Sequence, residues 1–126
     1  MSENISFGDY LKTLIKDAGM TQHEFYTALG IKKPYFYDIL SGRTNPPPPE
    51  LQFRAMEILN ADGETQKRFF DLAAKGRKDM PADIAKWVID NPKAIESIRK
   101  VLLGKNLYSY LADVYQSRAR FAVVFV

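Results

Sequence analysis

Lys33 and Asp38 stand in a stretch, Lys32 to Ser41, whose apolar members Phe36, Ile39 and Leu40 mark one side of a helix. On helical angles Pro34, Tyr37, Asp38 and Ser41 lie roughly opposite that side, and Lys33 flanks their face at the exposed first turn. One rigid surface thus carries an ammonium donor and a carboxylate acceptor. Such a pair suits the edges of bases in a groove: a Lys donates to guanine O6 and N7, and an Asp accepts from the cytosine N4 amine.

No rival chemistry is laid out with comparable order. The chain has no cysteine, which removes disulfides and thiolate reactions. Its one histidine, His23, cannot build a His-based metal site, and reads as a solvated helix residue or a phosphate contact. There is no Gly-rich phosphate loop, no nucleophile–base pair and no metal-ligand spacing, and the carboxylates are scattered. The expectation is a protein that is not an enzyme and uses neither metal nor cofactor.

Net charge adds little. It is +3 for the whole chain, but residues 1–60 carry six Lys or Arg against seven acids. An anion-binding surface must therefore be a local patch, and Lys32, Lys33 and Arg43 are close in sequence. The opening MSENISFGDY has neither the basic start nor the apolar core of a signal peptide. No apolar run approaches the roughly 20 residues of a membrane helix. The expected location is the cytoplasm, with no membrane partner.

Helical periodicity dominates, so the expected fold class is all-α. Five short helices fit residues 1–78. The first starts near Ser6 with a partial capping box to Asp9, carries Phe7, Leu11, Leu14 and Ile15 inward, and stops at Gly19. Thr21 and Glu24 form a full capping box for the second, which buries Phe25 and Leu29 and ends at Gly30. The third runs from about Lys32 to Ser41, with Pro34 in its first turn and Gly42 closing it. The stiff segment Asn45–Glu50 leads to a fourth helix, Glu50–Leu59, with Leu51, Ala55, Ile58 and Leu59 on one side. A fifth spans Glu64–Lys75 with Phe69, Leu72 and Ala73 inward. Lys75, Arg77 and Lys78 read as a solvated linker, and the breaker-containing stretch Lys75–Pro81 as the internal boundary, giving domains 1–78 and 79–126.

The second and third helices are joined by Leu29-Gly30-Ile31. A turn of that length with Gly at its centre makes two helices cross steeply and projects the N-terminal half of the second from the core. The window Gln22–Asn45 resembles the Cro/XRE family of phage-repressor-type helix-turn-helix regulators. The matching features are Gln22 opening the second helix, the Leu-Gly-Ile turn, Tyr35-Phe36 on the third helix, and Ile39, Gly42 and Arg43 in an I-x-x-G-R run. The five-helix reading of residues 7–75 is similar to that family's compact domain.

The resemblance implies a sequence-specific DNA-binding transcriptional regulator, a dimeric repressor on a palindromic operator. It implies that Lys32, Lys33, Pro34 and Asp38 face base edges, beside the Tyr37 of the exposed helical face. By the same resemblance Gln22 binds a backbone phosphate from the start of its helix, and Arg43, Thr44 and Asn45 touch phosphate beyond the reading helix. Tyr35 lies at the interface edge, against phosphate or against the core. Phosphate contacts set register and base contacts carry sequence information. One departure is Tyr26, where the family usually has a small Ala because the helices approach closely. Tyr26 must point out past the turn or be accommodated by small neighbours such as Ala28.

Residues 79–126 are expected to form a helical C-terminal extension. Ile84, Trp87 and Val88 mark one helix, and Asn91-Pro92 starts another bearing Ile95, Ile98, Val101 and Leu102. Leu107, Tyr108, Leu111, Val114 and Tyr115 suggest a last one. Phe69, Phe70 and Trp87 read as core. The apolar excess suits a homodimer interface or a protein partner held through residues 79–126. The terminal FAVVFV, Phe121 to Val126, either pairs across a two-fold interface or tucks in as a terminal strand. The rival reading is an antitoxin-like or other protein-interaction module on the same scaffold; double-stranded DNA is the first expected partner.

Overall fold

The structure is a computed structural model that describes residues 4–105 and 107–118. The described residues form eight helices and no strand: α1 Phe7–Asp17, α2 Gln22–Leu29, α3 Lys33–Ser41, α4 Pro49–Ile58, α5 Gly63–Arg77, α6 Ala82–Asp90, α7 Pro92–Gly104 and α8 Leu107–Arg118. The chain divides into two units, Met1–Ala85 and Lys86–Val126. The terminal segment Phe121–Val126, expected to pair or tuck as a strand, lies outside the described residues.

Local chemistry sets the helix ends. The Asp9 N–H donates to Ser6 Oγ at 3.0 Å and starts α1. At α2 the capping box is complete: Glu24 N–H donates to Thr21 Oγ1 at 3.0 Å, and Thr21 N–H donates to Glu24 Oε1 at 2.8 Å. Asp62 caps α5 by accepting from the Thr65 N–H at 2.8 Å. α4 starts one residue earlier than its sequence suggested, because Pro49 fits the first helical position, where no N–H is required.

One core serves the first unit. Phe7, Leu11 and Ile15 of α1, Phe25 and Leu29 of α2, Phe36, Ile39 and Leu40 of α3, and Phe69, Phe70 and Ala73 of α5 are buried together. α1 packs on α3 and α5, and α2 packs on α3 and α4. Gly8 lets α1 approach α3: a Cβ there would overlap the Leu40 carbonyl.

Three expectations change. The most buried side of α4 carries Gln52, Ala55 and Met56, while Leu51, Ile58 and Leu59 are half-buried. Gln52 is drawn inward because its Nε2 donates to the Pro47 carbonyl at 2.8 Å, tying α4 to the proline segment. Arg77 is not a solvated linker residue. It ends α5, and its Nη1 donates to the Pro46 carbonyl at 3.1 Å while Nε pairs with Asp79 at 3.0 Å. α5 tolerates Gly76 because that glycine lies directly against the Pro46 ring. Trp87 is not core: it is 60% exposed, while Phe69 and Phe70 are fully buried.

In the second unit α7 packs on α8. Pro92 opens α7 as expected, but Asn91 turns its side chain backward, and Nδ2 donates to the Trp87 carbonyl at the end of α6 at 2.7 Å. No helix among the described residues is long and apolar enough to cross a membrane.

Candidate nucleic-acid interface

The geometry is set at Gly30 and Gly42. Both adopt left-handed backbone conformations, with φ of 83° and 80°, which a side chain would strain. Each sits in a Schellman-type ending. The Ile31 N–H donates to the Tyr26 carbonyl at 3.1 Å across the first, and the Arg43 N–H donates to the Asp38 carbonyl at 2.9 Å across the second. The turn after α2 is also held from outside. Arg54 Nη1, reaching over from α4, donates to the Leu29 carbonyl at 3.1 Å, placing a cation where the helix dipole is negative. Nothing in the local pattern around α2 announces Arg54, since its partner is 25 positions away.

α3 buries Phe36, Ile39 and Leu40 and exposes Lys33, Pro34, Tyr37 and Ser41. Lys32 stands at its N-cap position, and Lys33 and Pro34 form its exposed first turn. Tyr37 is exposed and Asp38 half-exposed one turn further on. Tyr35 is half-buried and packs against the core. Tyr26 is half-buried as well, its ring 5.2 Å from Phe36 at a tilted angle and 5.2 Å edge-on from His23. The aromatic replacement is absorbed by these rings at the rim of the core. Ala28 is exposed on α2 and takes no part in that ring packing.

A shallow surface recess gathers Gln22 at the start of α2, Tyr37, Asp38 and Ser41 of α3, Arg43 just beyond it, and Lys12 of α1. Arg43 Nη1 lies 3.4 Å from Asp38 Oδ1, and Lys12 Nζ lies 3.5 Å from Asp9. The start of α2, two cations and the Gln22 amide thus share this recess with the Asp38 carboxylate, and each cation is paired with a carboxylate. Lys12 was not singled out from sequence; only its exposed position on α1 marks it.

The remaining residues lie elsewhere. Lys32, Lys33 and Pro34 are at the other end of α3 from Arg43. Thr44 and Asn45 line a different cleft of about 440 Å³, with Ser6, Pro46 and Lys75. The clamp from Gln52 and Arg77 on the proline segment fixes where Asn45 leaves the core. Lys33, Pro34 and Tyr37 thus stand exposed along one face of α3 with Asp38 half-exposed beside them, whereas Thr44 and Asn45 belong to the separate cleft.

A family model described as a helix-turn-helix domain matches residues 6–69. No curated protein and no solved structure matches the chain. The matched span runs from the cap of α1 to Phe69 in α5 and contains α2, the Gly30 turn and α3 whole. The chain belongs to the helix-turn-helix domain family, in keeping with its Cro/XRE-type features.

Proposed function

We propose that this protein is a sequence-specific DNA-binding transcriptional regulator, a dimeric repressor that occupies a palindromic operator in the cytoplasm. The observation that carries this reading is the ridge along α3, exposed on the side opposite Phe36, Ile39 and Leu40 and flanked by the Gln22–Arg43–Lys12 recess. In this reading α3 enters the major groove. Lys32, Lys33, Pro34, Tyr37 and Asp38 meet base edges: Lys33 donates to guanine, Asp38 accepts from cytosine, and Pro34 and Tyr37 give apolar contact to thymine methyls. Gln22, Tyr35, Arg43, Thr44 and Asn45 hold phosphates and fix the register, with Lys12 beside Gln22.

Two copies on half-sites one helical turn apart supply the specificity that a single reading helix lacks. The decisive experiment is selection of bound duplexes from a random DNA library with the full chain. One enriched palindromic motif is the expected result, and no enrichment over the starting pool rejects the reading. A second reading, a protein-interaction module of the antitoxin type, draws on the exposed Trp87, Ile95 and Ile98. It predicts co-purification of one partner from nuclease-treated lysate of the native host.

A further inference from the structure

Between Asn45 and Glu50 the chain has four prolines and therefore no backbone N–H donor. An extended proline run makes no hydrogen bonds of its own, so it is fixed from outside, through its carbonyls. The Pro46 carbonyl accepts from Arg77 Nη1 at the end of α5 at 3.1 Å, and the Pro47 carbonyl from Gln52 Nε2 of α4 at 2.8 Å. The Pro48 carbonyl accepts from the Gln52 N–H at 3.1 Å. On the other side, the Thr44 N–H donates to the Asp38 carbonyl at 3.2 Å. Thr44 and Asn45 are thus a short strap held between the end of α3 and the clamped prolines.

Stability alone does not account for Gln52. It is 2% exposed, and its Oε1 meets no hydrogen-bond donor among the described residues. A buried oxygen in that state is unfavourable. A methionine of similar length would remove it and leave the Pro47 carbonyl orphaned in exchange, so the fold gains little from the amide. What the amide secures is the position of the strap. The cleft that Thr44 and Asn45 line is also lined by Ser41, Pro46, Lys75 and Gly76, and by no acid. Gly76 brings the end of α5 onto the strap: a Cβ there would stand 2.7 Å from Pro46 Cγ. Lys75, read from sequence as a solvated linker residue, is next in the chain to that contact and is an exposed cation on the same cleft.

We propose that the strap and Lys75 form one preset seat for a backbone phosphate of duplex DNA: Lys75 supplies the charge, Thr44 and Asn45 supply hydrogen bonds, and Gln52 and Arg77 are positioning residues that hold the strap. The proposal deepens the DNA reading above and rests on it. An ammonium, a hydroxyl and a carboxamide are donor types that hold phosphate oxygens, and such contacts fix register without reading sequence. Arg77 serves the strap rather than the phosphate, because its Nε is engaged with Asp79 at 3.0 Å. A seat fixed before binding loses less conformational freedom on DNA than a free loop does. All of these residues belong to the first unit.

Two substitutions in the full chain separate the roles, read by anisotropy titration on preferred and random-sequence duplexes across a salt series, with urea midpoints alongside. Lys75→Gln should lower the slope of log K against log salt by about one unit and leave the urea midpoint in place. Gln52→Met should weaken binding about three- to tenfold on both duplexes, the worth of about one hydrogen bond, with slope and urea midpoint little changed. In the free protein, NMR relaxation should show the Thr44 and Asn45 amides less ordered in Gln52→Met than in the natural chain. An unchanged slope in Lys75→Gln takes that cation off the duplex and overturns the seat. Unchanged binding by Gln52→Met, or amides as well ordered as before, overturns the positioning role. So does a Gln52→Met that fails to fold, since the amide then serves stability; Lys75→Gln, on the surface, still tests the seat. A natural chain that binds no duplex removes the DNA reading and the seat together. A natural chain that binds while both variants match it removes the seat alone.

Discussion

The guanidinium of Arg43 lies 3.4 Å from the carboxylate of Asp38, at the point where α3 ends. The proposed function gives the two residues opposite roles, Asp38 toward bases and Arg43 toward phosphate. In the free protein each occupies the other's charge, and the Arg43 side chain remains 77% exposed. An exposed pair of this kind is worth little to stability, so separating it on DNA is cheap. Its consequence lies in selectivity. When Arg43 moves to a phosphate, Asp38 is left facing a polyanion unless a cytosine amine satisfies it.

Two substitutions follow from that coupling. Arg43→Ala should weaken specific and non-specific binding alike and lower the slope of log K against log salt by about one unit. Asp38→Asn should strengthen binding to random duplex while narrowing the ratio between preferred and random sites. Anisotropy titrations across a salt series read both. An unchanged slope in Arg43→Ala would take that residue off the phosphate backbone.

Lys33 makes a sharper test of base reading. It projects from the first turn of α3, beyond the core side chains that fix the helix. Lys33→Ala should cost about 1–3 kcal/mol on the preferred site and relax the preference at one base position. Equal loss on every sequence would move Lys33 from base reader to phosphate contact.

The punctuation of the first unit was legible in its sequence because caps and glycines act locally. Thr21 with Glu24, Gly30 and Gly42 work within a few residues of themselves, and the helices begin and end there. The outward set Lys33, Pro34, Tyr37 and Asp38 was equally legible, since Phe36, Ile39 and Leu40 fix the rotation of α3. What sequence did not reveal comes from distant partners. Arg54 reaches Leu29, Arg77 reaches Pro46, and Gln52 turns inward to Pro47. Lys12 joins Gln22 and Arg43 only because α1 packs on α3. Periodicity marked Trp87 as apolar, but it has no means of saying whether an apolar residue is covered by its own chain.

The N-cap of α5 gives the fold a pH dependence of definite sign. The Thr65 backbone N–H, and then its side chain, bind the Asp62 carboxylate and hold its pKa below the ordinary value. The carboxylate form is therefore favoured by folding. Its contribution is fully present above the ordinary carboxylate pKa and is lost as pH falls through the lowered folded value. Asn caps a helix about as well as Asp but does not titrate there. Whatever advantage the natural chain holds over Asp62→Asn at neutral pH should shrink on acidification from about pH 5 to about pH 2. Thermal melts of the two proteins through that range check it; parallel curves would deny Asp62 the role.

The approach of α1 to α3 gives the last test, and it bears on the reading helix directly. A methyl group at Gly8 would overlap the backbone carbonyl of Leu40, which sits in α3 and has no rotamer to change. The clash must be relieved by shifting one helix against the other. Gly8→Ala should therefore cost about 1–3 kcal/mol of stability, although Ala is the better helix former. Gly63 opens α5 with nothing near the place where its Cβ would stand, and its backbone is not left-handed. Gly63→Ala should be neutral or should stabilise by about 0.4–1 kcal/mol through the unfolded chain. Urea titrations separate the two. Because relief of the Gly8 clash displaces α3, Gly8→Ala should also weaken DNA binding under conditions where it is fully folded, whereas Gly63→Ala should bind normally. Equal stability of the two variants would mean that α1 and α3 do not pack as closely as their backbones indicate.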